Sequence, residues 1–279
     1  MIPKVYGIIG YPVKHSLSPA MHNAAFHQLH INAKYKLFER KPEELIHFLQ
    51  SLTRENICGF NVTIPHKETM VGYMDKLTEE ASLVGAVNTV KVDNQTLIGH
   101  NTDGLGFIKH LMDTHKTSIY AKIVSLLGAG GAARAVAQYL AAEGVGKIIV
   151  YDIKKEKSES LARKIMDNFE SVEVEVSDSA DALLLANPDL FINATHVGMN
   201  ESDPLLINPG RLNHSTFVYD LIYSPEETKL LRAAKSKGCA CANGLGMLLY
   251  QGVLSFEFWT GQKPPIEIMR KALVEAIAK

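Results

Sequence analysis

The chain has 279 residues, of which 46% are hydrophobic and 21% are charged. This composition excludes wholly disordered and collagen-like chains, and the length suggests about two domains of roughly 150 residues. The formal net charge of -1 gives no overall field to attract nucleic acid or anionic lipid. No apolar run reaches the length of about 18 residues that a membrane span needs. We therefore expect a cytoplasmic protein without nucleic-acid or membrane partners.

Short apolar runs alternate with helical patterns along the first hundred residues. The runs are typical of buried strands, and apolar residues spaced three and four apart indicate helices. Strands are predicted at 5–9, 35–38, 59–62, 86–92 and 96–99, and helices at 21–29 and 42–52.

The second half repeats the alternation more regularly. Strands are predicted at 123–127, 147–151, 172–176, 190–194 and 217–221, and helices at 107–112, 132–143 and 156–168. Repeated β-α-β units predict an α/β fold with a parallel sheet and helices on both faces. Two last helices, at 246–259 and 266–278, have no strand of their own, so we expect them to return to an existing sheet.

A glycine-rich stretch follows the predicted strand at 123–127 and opens the next helix. Its spacing is Gly-x-Gly-x-x-Ala, with Gly128, Gly130 and Ala133 at the three small positions. Gly128 permits a tight turn, and Gly130 lets backbone N–H groups approach a pyrophosphate at the helix N-terminus. The pattern predicts a dinucleotide site; the alternative is a glycine-rich turn without a ligand.

The end of the next strand bears on the cofactor's ribose. Asp152 lies 24 positions after Gly128, close to the spacing of about 20 for an acid that binds the ribose 2′-hydroxyl. A carboxylate there repels a 2′-phosphate. Lys154, Lys155 and Lys157 could neutralise that phosphate, or they could form a solvated helix start.

Two serines lie between the first strand and the first helix. Ser18 followed by Pro19 is typical of a helix N-cap and first helical residue. Ser16 has no such capping role. Both hydroxyls could therefore point at an anionic ligand at the C-terminal end of the strand.

Three further residues are candidates for chemistry. Lys67 follows the strand at 59–62 and is either a surface charge or a general acid or base. Asn88 is an amide in an apolar run and needs partners, and Asp103 is either a helix N-cap or the second member of a proton relay. Their spacing does not show whether they meet. The histidines have no metal-ligand spacing, so no metal is predicted.

Eight short motifs, in order along nearly the whole chain, resemble those of shikimate dehydrogenases. They are Ser-Leu-Ser-Pro at 16–19, Asn-Val-Thr-Ile-Pro-His-Lys at 61–67, Gly-Ala-Val-Asn-Thr at 85–89, Asn-Thr-Asp-Gly at 101–104, Gly-Ala-Gly-Gly-Ala-Ala at 128–133, Asn-Ala-Thr at 193–195 with Gly-Met at 198–199, Asp-Leu-Ile-Tyr-Ser-Pro at 220–225 and Gly-Leu-Gly-Met-Leu-Leu-Tyr-Gln at 244–251.

The resemblance implies a two-domain α/β enzyme that reversibly reduces 3-dehydroshikimate to shikimate with NADP, on the route to chorismate and the aromatic amino acids. Residues 1–102, completed by the C-terminal helices at 244–279, would form a substrate domain with a mostly parallel mixed sheet. Residues 103–243 would form a Rossmann-type dinucleotide-binding domain. A homodimer is left open.

The resemblance also implies residue roles. Lys67 and Asp103 would be the catalytic pair, and Ser16 and Ser18 would hold the substrate carboxylate. Thr63, Asn88, Asp103, Tyr223 and Gln251 would bind the rest of the substrate. The cofactor would contact Gly128, Ala129, Gly130, Gly131, Ala132, Asp152, Lys154, Lys157, Thr195, Leu221 and Gly244.

One stretch departs from the family pattern. NADP-dependent members commonly have Asn-Arg-Thr after the second Rossmann strand, where this chain has Asp152-Ile153-Lys154. The missing arginine and the added acid imply use of NAD as well as NADP. They also admit an NAD-dependent quinate/shikimate dehydrogenase as an alternative. A non-catalytic sensor of the same fold is a third reading, against which the presence of both Lys67 and Asp103 argues.

Overall fold

The computed structural model describes residues 2–278, apart from the side chain of Thr114. The chain divides into two compact units, one of Met1–Gly106 with Leu248–Lys279 and one of Phe107–Met247. Each unit contains a six-stranded sheet. Within the described residues, no helix has the length and apolar character needed to cross a membrane.

Strands and helices alternate through the described part of the chain. The strands are β1 (Lys4–Gly10), β2 (Ala33–Glu39), β3 (Ile57–Val62), β4 (Lys76–Leu77), β5 (Thr89–Asp93), β6 (Thr96–His100), β7 (Ile123–Leu127), β8 (Lys147–Tyr151), β9 (Glu173–Val176), β10 (Leu190–Asn193), β11 (Phe217–Asp220) and β12 (Cys241–Ala242). The α-helices are α1 (Ser18–Gln28), α2 (Leu45–Ser51), α3 (Glu79–Val84), α4 (Asp103–Lys109), α5 (Gly131–Ala142), α6 (Lys155–Asn168), α7 (Lys229–Ser236), α8 (Leu245–Thr260) and α9 (Ile266–Ile277).

The sheet of the first unit is mixed. Its strand order is β2-β1-β3-β5-β6-β4. β1 is parallel to β2 and β3, and β4 is parallel to β6, while β5 is antiparallel to both β3 and β6. The short connection between β5 and β6 allows the antiparallel pair, whereas the parallel strands need helical crossovers.

C-terminal residues complete the packing of the first unit. Helix α9 packs against α1. Trp259, near the end of α8, is 5% exposed and donates its Nε1–H to the carbonyl of Val90 at 2.9 Å. The indole occupies the space beside Gly59, where a Cβ atom would lie 2.6 Å from its Cδ1. The ring therefore packs α8 against β3 and β5.

The sheet of the second unit is parallel throughout. Its order is β12-β11-β10-β7-β8-β9, which is the doubly wound order of a Rossmann fold read from the opposite edge. Adjacent residues of the central strand, Leu126 and Leu127, are both buried because helices cover both faces. The predicted fold class, a two-domain α/β protein with a mixed sheet and a Rossmann-type domain, is confirmed.

Several local predictions were wrong in detail. The helix predicted at 42–52 begins as a 3₁₀ turn at Pro42–Glu44 before α2. The strand predicted from residue 86 begins only at Thr89, because the Val87 N–H bonds to the carbonyl of Lys67 outside the sheet. Helix α4 begins at Asp103 and continues as a π turn over His110–Thr114. The short elements β4, α3, α7 and β12 were not predicted, since two to eight residues carry little periodicity.

Candidate active site

The register of the first sheet brings three chain segments to one edge. Asn61, near the end of β3, pairs with Thr89 at the start of β5, and Thr89 pairs with His100 at the end of β6. Because β5 is antiparallel to both neighbours, its first residue lies beside their last residues. The residues that follow β3, precede β5 and follow β6 are therefore neighbours.

Lys67 and Asp103 form an ion pair at this edge. Lys67 Nζ lies 2.6 Å from Asp103 Oδ2, and the two side chains are 15% and 6% exposed. A charged pair removed this far from water interacts more strongly than a surface pair. Asp103 is the first residue of α4, and both of its carboxylate oxygens bind side chains. The two residues that sequence spacing left apart thus meet.

The second oxygen of Asp103 is held by Asn88. Asn88 Nδ2 donates to Asp103 Oδ1 at 2.8 Å and to Thr102 Oγ1 at 2.9 Å. Asn88 Oδ1 accepts from the Thr102 N–H at 2.8 Å and from Thr89 Oγ1 at 2.9 Å. A flipped amide would place oxygen against the carboxylate, so these bonds fix its orientation. Asn88 precedes β5, where the prediction placed it inside a strand.

A buried hydroxyl on α8 supports this arrangement. Ser255 Oγ lies 2.8 Å from Thr89 Oγ1 and 3.2 Å from Thr102 Oγ1, and it accepts from Asn61 Nδ2 at 2.9 Å. It also lies 2.9 Å from the carbonyl of Gln251, one turn earlier in α8. The sequence analysis missed Ser255, and its only signal is a polar residue on an apolar helix, four positions after Gln251.

The start of the first helix differs from the prediction for the two serines. Helix α1 begins at Ser18, its N-cap is Leu17, and Leu17 has no side-chain capping bond. The Ser18 N–H donates to Ser16 Oγ at 3.3 Å. Ser16 therefore satisfies the helix start, so the prediction that Ser18 is the N-cap was wrong. The hydroxyl hydrogen of Ser16 is not needed for this bond and can be donated to a ligand.

The other predicted substrate residues divide between the two units. Thr63 directly follows β3, is half-buried, and donates its N–H to the Ile9 carbonyl at 2.9 Å. Gln251, on α8, donates Nε2–H to the Leu248 carbonyl at 2.7 Å. Both belong to the first unit, whereas Tyr223 belongs to the second, where it is half-buried after β11.

The glycine-rich turn lies in the second unit between β7 and α5. Gly128 has φ of +104°, and a Cβ there would lie 3.0 Å from Thr195 Cγ2. A Cβ atom at Gly130 would meet nothing within 4 Å, so the space directly beside the start of α5 is open. The first N–H groups of a helix that begins at Gly131 have no intrahelical acceptor. This open, donor-lined turn fits the pyrophosphate of a dinucleotide.

Asp152 lies against the same turn. Its Oδ2 accepts from the Ala129 N–H at 2.8 Å, and its Oδ1 accepts from the Lys154 N–H at 2.9 Å. Ile153, at the position of the family's arginine, is 90% exposed. Lys154 is exposed and Lys157 is half-buried at the start of α6. The Asp152 carboxylate is thus fixed beside the turn by two hydrogen bonds. The ammonium groups of Lys154 and Lys157 lie at the ends of longer, more flexible side chains.

The ends of β10 and β11 complete this edge of the second sheet. The Leu221 N–H donates to the Asn193 carbonyl at 2.9 Å, and the Gly244 N–H donates to the Ile222 carbonyl at 3.0 Å. Gly244 lies directly against the carbonyl of Leu221, so no side chain fits there. Thr195 follows β10 and contacts the glycine-rich turn, as described for Gly128. Ligands bind at this carboxyl edge in open α/β sheets.

Asp220 ends β11 and opens the Asp-Leu-Ile-Tyr-Ser-Pro motif, and the sequence predicts no role for it. Its side chain is fully buried, and burial raises the pKa of this carboxyl group to about 6. It accepts hydrogen bonds from Asn193, Ile222 and Thr228. Within the described residues, no group of three or more His, Cys, Asp or Glu side chains could hold a metal ion.

Three family models match the chain. Residues 8–90 match the shikimate dehydrogenase substrate binding domain, residues 109–203 match shikimate / quinate 5-dehydrogenase, and residues 244–274 match the shikimate 5'-dehydrogenase C-terminal domain. The chain is 42% identical over 280 residues to the shikimate dehydrogenase (NADP(+)) of Desulforamulus reducens, covering 99% of this chain and 96% of that relative.

Solved structures give the same result. The chain is similar to a shikimate dehydrogenase crystallised with NADP+, with 41% identity, a TM-score of 0.91, and coverage of 99% of this chain and 96% of that one. It is also similar to the shikimate 5-dehydrogenase of Listeria monocytogenes in complex with shikimate and NAD, with 37% identity, a TM-score of 0.86 and 96% of each chain covered. The resemblance seen in the motifs is confirmed, and the chain belongs to the shikimate dehydrogenase family.

Proposed function

We propose that this chain catalyses the reversible reduction of 3-dehydroshikimate to shikimate with a nicotinamide dinucleotide, on the route to chorismate and the aromatic amino acids. The observation that carries the proposal is the shielded Lys67–Asp103 pair, fixed by Asn88 at an edge lined with polar side chains. The family membership and the donor-lined turn of the second unit support it.

The carbonyl reduction needs a hydride at carbon and a proton at oxygen. When bound, the nicotinamide cofactor supplies the hydride in one direction and accepts it in the other. The Lys67 ammonium donates the proton to the carbonyl oxygen or stabilises the negative charge that develops there. Asp103 Oδ2 holds Lys67 Nζ in place, and the proton that Lys67 gives up returns from solvent. In the reverse direction, neutral Lys67 accepts the hydroxyl proton.

The remaining residues of the first unit would bind the substrate. Ser16 and Ser18 would donate to its carboxylate, and Thr63 and Gln251 would bind ring hydroxyls. Both Nδ2 hydrogens of Asn88 are already donated, to Asp103 and to Thr102. Asn88 therefore supports the substrate site mainly by orienting Asp103, and a direct bond to substrate requires that it give up one of these partners.

In the second unit, Tyr223 would bind the substrate, and the cofactor would contact the turn at 128–132, together with Asp152, Lys154, Lys157, Thr195, Leu221 and Gly244. NADP and NAD both fit the pyrophosphate turn, since they share that group. The preference between them depends on Asp152, which disfavours a 2′-phosphate, against Lys154 and Lys157, which favour it. A homodimer, a cytoplasmic location and the lack of nucleic-acid and membrane partners stay predictions.

The assay that tests this function follows nicotinamide absorbance with shikimate and with quinate, each with NADP+ and with NAD+. We expect oxidation of shikimate to exceed that of quinate in kcat/KM. Turnover of quinate alone would overturn the substrate and favour the quinate dehydrogenase alternative. Lack of turnover with either acid would overturn the activity as a whole.

A further inference from the structure

Asp220 is a buried carboxylate at the carboxyl edge of the second sheet, and the proposed chemistry does not use it. We propose that Asp220 is a positioning residue of the cofactor site, which anchors the turns after β10 and β11 and holds Thr195 against the glycine-rich turn. The inference rests on the proposed function in one respect, namely that the dinucleotide binds at this edge.

The two oxygens of Asp220 bind three separate segments. Oδ1 accepts from Asn193 Nδ2 at 3.0 Å and from the Ile222 N–H at 3.1 Å, and Oδ2 accepts from Thr228 Oγ1 at 2.7 Å. Asn193 ends β10, Ile222 lies in the connection after β11, and Thr228 is the N-cap of α7. One side chain therefore ties the end of β10 to both ends of the connection between β11 and α7.

The bond to Asn193 fixes which way its amide faces. Asn193 Nδ2 donates to Asp220 and to the Val197 carbonyl at 3.3 Å, and its Oδ1 accepts from the Thr195 N–H at 3.1 Å and from Thr195 Oγ1 at 2.8 Å. A flipped amide would place Oδ1 against the Asp220 carboxylate and Nδ2 against two donors. Asp220 therefore orients Asn193, and Asn193 sets the conformation of the turn that carries Thr195.

That turn borders the pyrophosphate site. The methyl group of Thr195 lies where a Cβ of Gly128 would approach to 3.0 Å, so a shifted turn would press on the glycine-rich turn or leave a gap beside it. On the other side, the Leu221 N–H is bonded to the Asn193 carbonyl at 2.9 Å. Movement of Asn193 would thus displace two residues of the proposed cofactor site, Thr195 and Leu221.

Burying a carboxylate to hold these segments costs free energy of folding. Among the described residues Asp220 forms no salt bridge, and its contacts are the backbone and side-chain donors given above. Burial without a cation disfavours the charged form. The number of acceptors explains why a carboxylate is present at this position. Its two oxygens have four lone-pair sites and can accept from three donors on different segments, whereas an amide side chain has only one accepting oxygen.

The test compares Asp220→Ala with Asp220→Asn by calorimetric titration with NADP+ and with NAD+, without substrate. Asp220→Ala should weaken binding of either dinucleotide at least tenfold. Asp220→Asn should recover most of the affinity, because its Oδ1 can still accept from Asn193 and Ile222 while Thr228 becomes an acceptor. Thr216→Val is the matched control.

Thr216 is buried, donates Oγ1–H to the Pro188 carbonyl at 2.8 Å, and precedes β11 at the opposite edge of the sheet. Its substitution should lower thermal stability without changing the Kd of the dinucleotides. An unchanged Kd in Asp220→Ala would overturn the inference, and so would equal losses of dinucleotide affinity in Asp220→Ala and Thr216→Val. If the wild-type protein binds no dinucleotide, the proposed function fails instead.

A second variant keeps the test decisive if Asp220→Ala does not fold. Asn193→Asp places two carboxylates side by side and should weaken dinucleotide binding at least tenfold. Combined with Asp220→Asn, it restores a hydrogen bond between the two side chains with donor and acceptor exchanged, but the Ile222 N–H and the Val197 carbonyl lose their partners, so only part of the affinity should return. Equal affinity of the Asn193→Asp single variant and the wild type would overturn the inference.

Discussion

The two units each contain an asparagine whose amide nitrogen is bonded to an aspartate. Asn88 Nδ2 donates to Asp103 Oδ1 at 2.8 Å in the first unit, and Asn193 Nδ2 donates to Asp220 Oδ1 at 3.0 Å in the second. In both cases the amide oxygen accepts one backbone N–H and one threonine hydroxyl. The units differ in what meets the other carboxylate oxygen, which is Lys67 at Asp103 and a threonine hydroxyl at Asp220.

That single difference separates the proposed reactive site from the proposed positioning residue. The Lys67 ammonium compensates the charge of Asp103 and adds a proton that can be transferred. The hydroxyl beside Asp220 adds only a hydrogen bond, and burial then raises the pKa of Asp220 to about 6. In the proposed roles, the same amide–carboxylate arrangement thus serves proton transfer in one unit and holds backbone turns in the other.

The largest effect should come from Lys67→Ala, which makes Asp103 resemble Asp220 by removing its cation. We expect kcat to fall about a thousandfold, since a positioned general acid contributes roughly 10²–10⁴-fold, while the Kd of shikimate changes less than about tenfold. Steady-state kinetics and titration with shikimate measure the two quantities. Lys122→Ala, which removes an exposed lysine paired with Asp189, should leave kcat unchanged. An unchanged kcat in Lys67→Ala would contradict its role.

Ser16→Ala should weaken binding of shikimate in the first unit and leave binding of the dinucleotide in the second unit unchanged. Loss of a hydroxyl bonded to a carboxylate costs about 1.5–3 kcal/mol, so KM for shikimate should rise about tenfold or more while the Kd of the dinucleotide stays the same. Ser51→Ala removes another hydroxyl of the first unit, bonded to the Phe48 carbonyl, and should leave KM unaltered. If Ser16→Ala keeps the wild-type KM and kcat, Ser16 does not bind the substrate and serves only as the acceptor at the start of α1.

Asp152 can be compared with Asp220 in the same unit, because Asp152 is a less buried carboxylate beside the proposed cofactor site. We expect NAD to be used at least as well as NADP. Asp152→Asn should move the ratio of kcat/KM toward NADP by about 2 kcal/mol, through loss of repulsion with the 2′-phosphate. Glu159→Gln removes an exposed charge further along α6 and is the control. A strong preference of the wild type for NADP, unchanged in Asp152→Asn, would mean that the lysines decide the cofactor.

The smallest effect concerns stability and pH. Burial raises the pKa of Asp220 from 3.8 to about 6, so the folded protein binds a proton more readily than the unfolded chain. This group therefore adds stability as the pH falls through about 6 and loses it as the pH rises. Between about pH 7.5 and about pH 5 the gain is about 1.4 kcal/mol, and Asp220→Asn should lack it in urea unfolding.

Asp189 supplies a control without pH dependence in that range. Burial alone would raise its pKa, but hydrogen bonds from the Ile123 N–H and from Lys122 lower the pKa below its usual range. The contribution of Asp189 to stability is therefore complete above about pH 5 and is lost only at lower pH, so Asp189→Asn should lower stability by the same amount at about pH 5 and at about pH 7.5. A pH dependence of Asp220→Asn equal to that of the wild type would contradict the assignment for Asp220.

The sequence predicted the elements better than it predicted contacts between them. The turn at Gly128 was identifiable because glycine spacing, a preceding strand and a following helix are all local features. Lys67 was ambiguous on local grounds, because its burial depends on how the segment after β3 meets α4. Ser255 was invisible, since only the docking of α8 on the first sheet brings it beside Thr89.

Two predictions failed because a side-chain hydrogen bond overrode the local pattern. Ser18 and Pro19 have the composition of a helix start, yet the structure begins the helix one residue earlier and uses Ser16 as the acceptor. Asn88 follows the apolar pattern of a strand, but its side chain is taken up by Thr102 and Asp103 before β5 begins. At Ser18 the deciding bond comes from a serine two residues away, whereas at Asn88 it comes from residues 14 and 15 positions away.

The indole of Trp259, which packs against the first sheet, also provides a fluorescence probe of the first unit. The chain has one tryptophan, and its indole is buried against Tyr6 and His22 with Nε1–H bonded to Val90. Intrinsic fluorescence excited at the red edge of the absorption band therefore arises from the first unit alone. Far-ultraviolet circular dichroism follows both units, so a difference between the two signals during unfolding would show that the units melt separately.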